Sequence, residues 1–178
     1  LEPKVYLSLA RDSGWQITHI FDTHIHADHL SRARQLAATS GAMLYLPAQQ
    51  RVAYPFHALA DADVIAIGAA RLRVLHTPGH TLESVCYLLD DQALFTGDTL
   101  FLAGVGRPDL EASISEARKR AHLLYHSLQQ LLTLPAATLV LPGHTSAPVA
   151  FDDTALVAPL SALRQRVALL QVPEEEFV

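Results

Sequence analysis

Three histidines and one aspartate lie within the stretch Thr23-His24-Ile25-His26-Ala27-Asp28-His29. The β-prone residues 16–22 before it predict a strand, and residues 28–39 predict a helix that opens on an acidic residue. The cluster is therefore predicted to lie on a turn at a strand end, where side chains from a short segment can converge. Imidazole and carboxylate together suit zinc, iron or manganese. A solvated loop that happens to contain several histidines is the alternative.

Three further donors share one local pattern farther along the chain. His80, Asp98 and His144 each follow a predicted strand, and a glycine directly precedes each of them. Glycine allows the backbone to turn tightly and to approach a bound group closely. A single Pro-Gly-His triplet is usually a turn with an incidental histidine. Two such triplets and a Gly-Asp, in a chain that also has the first cluster, predict one metal site at one edge of the sheets.

The predicted donors outnumber the ligands of a single tetrahedral metal. They are His24, His26, Asp28, His29, His80, Asp98 and His144. The set fits two adjacent metals that share a carboxylate, for which Asp98 is the natural bridge. It also fits one metal held by a subset, with the other groups orienting the ligands. Two histidines and one carboxylate are sufficient for a mono-iron site with open positions.

Two histidines on the longest predicted helix are interpreted differently. His122 and His126 are four residues apart, so they share one helix face. They lack the glycine-terminated strand that precedes the predicted ligands, and no third donor lies near them in the sequence. We interpret them as surface or packing residues, with a metal-binding pair as the alternative.

The composition limits the classes of protein that the chain can represent. It has 178 residues, of which 50% are hydrophobic and 17% charged, as in an ordinary globular domain. The net charge of −5 and the lack of a basic run give no indication of nucleic-acid or membrane binding. The one cysteine, Cys86, excludes an internal disulfide and is compatible with a reducing compartment. A cytoplasmic location is therefore expected, with a mitochondrial one as the alternative.

The hydrophobic pattern predicts runs of strands flanked by helices. Helices are predicted at 3–12, 28–39, 113–132 and 155–170, and strands at 16–22, 42–46, 64–67, 71–76, 84–89, 93–96 and 138–141. Residues 47–62 are ambiguous, and Pro173 marks the start of a tail. The predicted class is a layered α/β (α+β) fold with a mixed sheet, in one domain that spans residues 1–178.

At these residues the chain resembles the metallo-β-lactamase fold superfamily. That family has a His-x-His-x-Asp-His motif, then a lone histidine, a bridging aspartate and a final histidine, and the resemblance covers residues 15–146. It implies an αββα sandwich with the metal site at one edge. It also implies that the N-terminal strands of the family are missing here. The ligands implied for dinuclear members are His24, His26 and His80 for one metal and Asp28, His29 and His144 for the other, with Asp98 shared.

Within the superfamily the chain looks most like the branch of glyoxalase II and the persulfide dioxygenases. The segments 97–101, 104–109 and 124–135 resemble the dioxygenases, whose substrate is glutathione persulfide. In that branch Arg107 matches a position near the substrate, and its alternative role is a helix cap or an ion pair with Asp109. The dioxygenases usually have Asp-Tyr after the final histidine, whereas this chain has Thr-Ser, which leaves room for another thiol-linked substrate.

Three functions follow from the resemblance. The first is a dioxygenase that oxidises a thiol-bound sulfane sulfur with O₂ at one Fe(II) held by residues matching His24, His80 and Asp98. The second is a hydrolase of a thioester or related ester that uses one or two Zn²⁺, with Asp28 orienting the water. The third is a non-catalytic fragment or binding module. The expected partner is a small thiol such as glutathione persulfide, and a homodimer is also considered; neither nucleic acid nor a membrane is expected.

Overall fold

The computed structural model describes residues 2–26, 30–110, 112–145, 149 and 154–178. Within these ranges the helices are α1 (Pro3–Asp12), α2 (Ala33–Ser40), α3 (Ile114–Leu131), α4 (Leu160–Arg166) and α5 (Glu174–Phe177). The strands are β1 (His19–Phe21), β2 (Met43–Pro47), β3 (His57–Leu59), β4 (Val64–Ile67), β5 (Ala70–His76), β6 (Val85–Leu89), β7 (Ala93–Gly97), β8 (Leu139–Pro142) and β9 (Ala158–Pro159). A 3₁₀ turn at Ala168–Leu170 follows α4.

The strands form two sheets of different character. The first is three-stranded in the order β1-β2-β3, and both of its pairings are parallel. The second is six-stranded in the order β4-β5-β6-β7-β8-β9. It is antiparallel except for the pairing of β7 with β8, in which Leu94 lies opposite Val140. The parallel pairing directs the carboxyl ends of β7 and β8 to the same edge of the sheet.

Three apolar clusters hold the sheets and helices together. Phe21 and Tyr45 of the first sheet pack against Val74 and Tyr87 of the second, so the two sheets lie face to face. Residues of α1 and α2 cover the outer face of the first sheet. On the outer face of the second sheet, leucines of α3 and α4 pack against Leu88, Leu94 and Val140. The architecture is therefore the predicted αββα sandwich.

Several predicted boundaries are wrong for identifiable reasons. The strand predicted at 16–22 is limited to β1, because its partner β2 begins opposite His19. The helix predicted from residue 28 begins at Ala33, whose N–H donates to the hydroxyl of Ser31 (3.2 Å). Residues 28 and 29 lie outside the described residues. The single-domain assignment for residues 1–178 stays a prediction.

The C-terminal part of the chain differs most from the prediction. The helix predicted at 155–170 starts only at Leu160, because residues Ala158–Pro159 pair with β8 and proline disfavours a helical residue before it. The ambiguous region 47–62 contains β3, which is too short to show a period. None of the described helices combines the length and the apolar composition that crossing a bilayer requires.

The short helix α5 docks on the exposed face of α3. The two helix-face histidines are 47% and 65% exposed, in agreement with their interpretation as surface residues. His122 Nδ1 lies 2.7 Å and His126 Nε2 lies 3.1 Å from the same oxygen of Glu174. The ring of Phe177 contacts Tyr125 beside them, with centroids 5.5 Å apart. Sequence patterns do not indicate this carboxylate, because Glu174 lies far from both histidines along the chain.

We predict that Leu128→Ala lowers the free energy of unfolding by about 2–5 kcal/mol, because Leu128 is 1% exposed in the cluster under α3. Leu123→Ala on the same helix is the matched control, since Leu123 is 37% exposed. It is expected to change stability by less than about 1 kcal/mol. Urea denaturation of both variants measures the difference, and equal effects would contradict the assignment of this face to the core.

We predict that Glu174→Gln weakens the docking of α5 in a pH-dependent way. The hydrogen bond from His122 holds the pKa of the Glu174 carboxyl below its usual value. A carboxyl whose folded-state pKa is depressed contributes stability above its unfolded pKa of about 4.3 and loses it as the pH falls. The stability advantage of the wild type over the variant should therefore shrink from pH 6 to pH 3 in urea titrations.

Glu175→Gln is the control for this prediction, because it removes a carboxylate from the same short helix and retains Glu174. Its difference from the wild type should not follow the same pH course. A pH-independent difference for Glu174→Gln would mean that the contact with the histidines does not contribute to stability.

Candidate metal centre

The ends of strands from both sheets deliver the predicted donors to one edge of the sandwich. His24 follows β1 in the first sheet. Asp98 follows β7 directly and His144 follows β8, so the parallel pair brings these two side chains out together. His80 lies in the turn between β5 and β6. In the part of the chain that the structure describes, these four side chains therefore lie at one edge of the sandwich.

The segment that carries His24 is fixed to the second sheet by hydrogen bonds. The carbonyl of Thr23 accepts from the Val85 N–H at the start of β6 (2.9 Å). The Tyr87 hydroxyl donates to the Asp22 carbonyl (2.7 Å). Burial raises the pKa of Tyr87, which keeps the hydroxyl protonated and able to donate. These contacts cross from one sheet to the other beside the donors.

Glycine at position 97 is required by the close approach of the same segment. Gly97 has φ +48°, in the left-handed region that side chains other than glycine rarely adopt. A Cβ atom at this position would overlap the Thr23 side chain. The backbone that leads into Asp98 therefore packs directly against the residue that precedes His24.

Three donors form a compact cluster. His24 Nε2 lies 4.0 Å and His80 Nε2 lies 3.6 Å from Oδ2 of Asp98, and the three ligand atoms lie within 4.8 Å of one another. The His24 and His80 residues are 3% and 8% exposed, and the Asp98 side chain is 12% exposed. Ligands at about 2.0–2.2 Å from one metal ion are separated by comparable distances. Only small side-chain movements are needed to place all three on one ion.

The second ring nitrogen of each histidine in the cluster has its own hydrogen-bond partner. His80 Nδ1 lies 2.9 Å from the carbonyl of Arg107. Since a carbonyl only accepts, Nδ1 of His80 donates, and in the neutral ring Nε2 then presents its lone pair to the cluster. His24 Nδ1 lies 3.0 Å from Oγ1 of Thr23, which leaves its Nε2 facing Asp98. The His80 tautomer and the orientations of both rings thus fit metal ligation.

Asp98 faces different groups with its two carboxylate oxygens. Oδ2 faces His24 and His80, whereas Oδ1 accepts a hydrogen bond from His144 Nδ1 (2.7 Å). The His144 side chain is 49% exposed. The His26 ring lies against His24, with centroids 4.1 Å apart. Two predicted donors, Asp28 and His29, lie outside the described residues, so their placement stays a prediction.

A cleft of about 300 Å³ opens beside the cluster. It is lined by His24, His26, Asp98 and His144 and by the partly exposed Phe95. His80 is not part of its lining and lies behind the other donors. The cluster therefore has a buried side and a side that a small molecule can reach.

Arg107 contributes to this site in a way that the sequence did not indicate. Its guanidinium makes two contacts with the Asp109 carboxylate, at 3.0 and 2.7 Å, which is the alternative role considered for it. Hydrogen bonding from Arg107 lowers the pKa of Asp109. Its carbonyl, however, holds His80, and Gly106 makes this possible because a Cβ there would overlap the Asp98 carbonyl. A hydrogen bond to a backbone carbonyl does not depend on the residue type, so the sequence does not indicate it.

Cys86 acts as a buried apolar side chain. It lies on β6 and is 0% exposed. Burial raises the pKa of its thiol to about 11, so the sulfur stays protonated and is not a nucleophile at neutral pH.

Curated proteins that are similar to this chain include hydroxyacylglutathione hydrolases. The chain is similar to hydroxyacylglutathione hydrolase of Rhizobium johnstonii, with 40% identity over 141 residues, 78% of this chain and 52% of the relative. The relative in Methylococcus capsulatus, also a hydroxyacylglutathione hydrolase, is 36% identical over 92% of this chain and 62% of its own length. The chain thus spans between half and two thirds of these relatives.

Solved structures share the fold. A metallo-beta-lactamase from Staphylococcus aureus superposes with TM-score 0.88 and 28% identity, over 99% of this chain and 57% of that one. ETHE1 from Myxococcus xanthus superposes with TM-score 0.81 and 31% identity, over 98% of this chain and 72% of that one. TTHA1623 in a di-iron-bound form superposes with TM-score 0.67 and 28% identity, over 93% of this chain and 83% of that one. The family model described as the metallo-beta-lactamase superfamily matches residues 1–144. The chain belongs to the metallo-β-lactamase superfamily.

Proposed function

We propose that this chain is the metal-dependent catalytic unit of a dioxygenase that oxidises a thiol-bound sulfane sulfur. The observation that carries the proposal is the cluster of His24, His80 and Asp98. Two imidazole nitrogens and one carboxylate oxygen face one point there, which is the ligand set of a mono-iron site with open positions. When bound, Fe(II) would supply the redox chemistry that dioxygen activation requires.

The proposed reaction balances without a further reductant. A persulfide R–S–SH, O₂ and water give the thiol R–SH, sulfite and two protons. The S–S bond breaks, the outer sulfur is oxidised by four electrons, and O₂ accepts those electrons. Glutathione persulfide is the proposed substrate, because the curated relatives act by name on a glutathione derivative.

The side chains around the cluster would orient the ligands and exclude water. Burial of His24 and His80 keeps solvent from the rear of the site, and the bond from His80 to the Arg107 carbonyl fixes the ring orientation. The cleft beside His26 and His144 would admit the sulfur end of the substrate. The Arg107 guanidinium would bind a carboxylate of the thiol by exchanging it for that of Asp109.

Hydrolysis of a thioester is the second candidate function. The observation in its favour is the contact between His144 and the Oδ1 atom of Asp98, because it gives the carboxylate the orientation of a bridge between two sites. TTHA1623, a related structure, binds two iron ions. In a dizinc site of this kind Asp28, His29 and His144 would complete the second ligand set, and Asp28 would orient the water.

We predict that protein produced in iron-supplemented medium contains about one iron per chain and consumes O₂ when glutathione persulfide is added. Sulfite should form in equal amount to the O₂ consumed. Zinc-loaded protein is the matched control and should not consume O₂, because zinc has no redox chemistry. Hydrolysis of S-lactoylglutathione by zinc-loaded protein, without oxygen uptake by the iron form, would contradict the dioxygenase and support the hydrolase.

We predict that His24→Ala impairs both candidate functions and that His144→Ala separates them. His24→Ala should weaken metal binding by more than about 100-fold, since a direct ligand matters more than an outer-sphere residue. In a dioxygenase His144→Ala should retain one metal per chain and keep activity within about tenfold of the wild type. In a dinuclear hydrolase it should lose one metal and most of its activity, as measured by metal analysis and steady-state rates.

A further inference from the structure

The segment that carries His24 and His26 is also held by a carboxylate that is not one of the predicted metal donors. Glu83 has a side chain that is 9% exposed. Its Oε1 atom accepts hydrogen bonds from the Ile25 N–H (3.2 Å) and from Nη1 of Arg51 (2.9 Å). Ile25 lies between His24 and His26, the first two histidines of the motif. The Glu83 carboxylate therefore binds the backbone between two predicted metal ligands, His24 and His26.

Arg51 completes the contact from the opposite side. Its Nη1 atom also donates to the carbonyl of Ile25, at 3.3 Å. Both backbone polar groups of Ile25 are therefore bound by one ion pair. Arg51 and Glu83 are separated from Ile25 by 26 and 58 positions along the chain. No local preference of the motif itself would produce this arrangement.

The turn that contains Glu83 also contains a ligand. His80 stands at its beginning, and the Thr81 and Ser84 hydroxyls, 2.7 Å apart, shape the turn between them. At the end of the turn the Val85 N–H donates to the Thr23 carbonyl. One short segment thus carries His80 and holds the chain on both sides of His24.

Burial of a carboxylate is unfavourable unless charged and hydrogen-bonding partners compensate for the lost hydration. A buried ion pair is therefore weak support for a role in stability alone. The partners of Glu83 are a guanidinium and the main chain of the metal-binding segment. The arrangement fixes a distance between two segments that must present ligands to the same ion.

We propose that Glu83 and Arg51 are positioning residues that lock the main chain at Ile25 and so set the spacing of His24 from His80. The proposal rests on the proposed function only in that a metal binds at His24, His80 and Asp98. It does not depend on whether the reaction is an oxidation or a hydrolysis. Neither residue contacts the metal; both act through the backbone that carries a ligand.

The test is the affinity of the folded protein for Co²⁺, measured by competition with a chelator and by the visible spectrum of the bound ion. Glu83→Ala removes the acceptor and the charge, and we expect about 10–100-fold weaker binding with an altered spectrum. Glu83→Gln keeps an acceptor for the Ile25 N–H and should lose less. Arg51→Met should weaken binding by about 10-fold.

Asp91→Asn is the matched control. Asp91 pairs with Arg73 at the same N···O distance of 2.9 Å, but in a contact between exposed side chains of the second sheet. This variant should bind Co²⁺ within about twofold of the wild type. The combined variant Glu83→Gln/Arg51→Met should be less impaired than the sum of the single variants, because the two residues act through one contact.

The Ile25 amide gives a second readout. Hydrogen exchange of this amide should be faster in Glu83→Ala and in Arg51→Met than in the wild type. The Arg51 side chain is 46% exposed, so its replacement does not open the core. Folded Arg51→Met with unchanged Co²⁺ affinity and unchanged exchange would overturn the proposal. A wild type that binds Co²⁺ but does not consume O₂ when loaded with iron would overturn the proposed reaction and leave this inference standing. A wild type that does not bind Co²⁺ would overturn both.

Discussion

The backbone hydrogen bond from the Val85 N–H to the Thr23 carbonyl helps to hold the segment that carries His24 against the second sheet. His24 belongs to the sheet of β1, whereas Asp98 leaves the sheet of β7, so the cluster exists only where the two sheets are held in register. The apolar contact of Phe21 with Tyr87 brings the sheets together, but apolar packing is not directional. The hydrogen bond supplies the direction that packing lacks. The closeness of Gly97 to Thr23 completes the constraint from the other side.

The chemistry of the site follows from how unevenly water reaches it. His24 and His80 are buried, and each has its second nitrogen occupied, so their rings cannot turn without losing a hydrogen bond. His144 is half exposed and borders the open cleft. A metal on the buried side would be held rigidly, whereas the exposed side retains room for substrate. Donors that look alike in the sequence thus differ in their exposure to solvent.

Local patterns in the sequence predict the layers of the fold and indicate the candidate donors. A glycine before a donor at a strand end, and the alternation of apolar residues, are visible in a few consecutive positions. The strands β3 and β9 were not predicted, since each has too few residues to show a period. The roles of the Arg107 carbonyl and of Glu83 were also not predicted. They arise from tertiary contacts, one of them through the backbone, and residue type does not report such contacts.

The two oxygens of the Asp98 carboxylate face different histidines, and this has a thermodynamic consequence. A carboxylate is rigid and planar, so a rotation that improves the contact of Oδ2 with His24 and His80 also moves Oδ1 relative to His144. A metal bound at Oδ2 would therefore change the free energy of binding for any ligand that contacts His144. By reciprocity, that ligand would change the free energy of metal binding to the same extent.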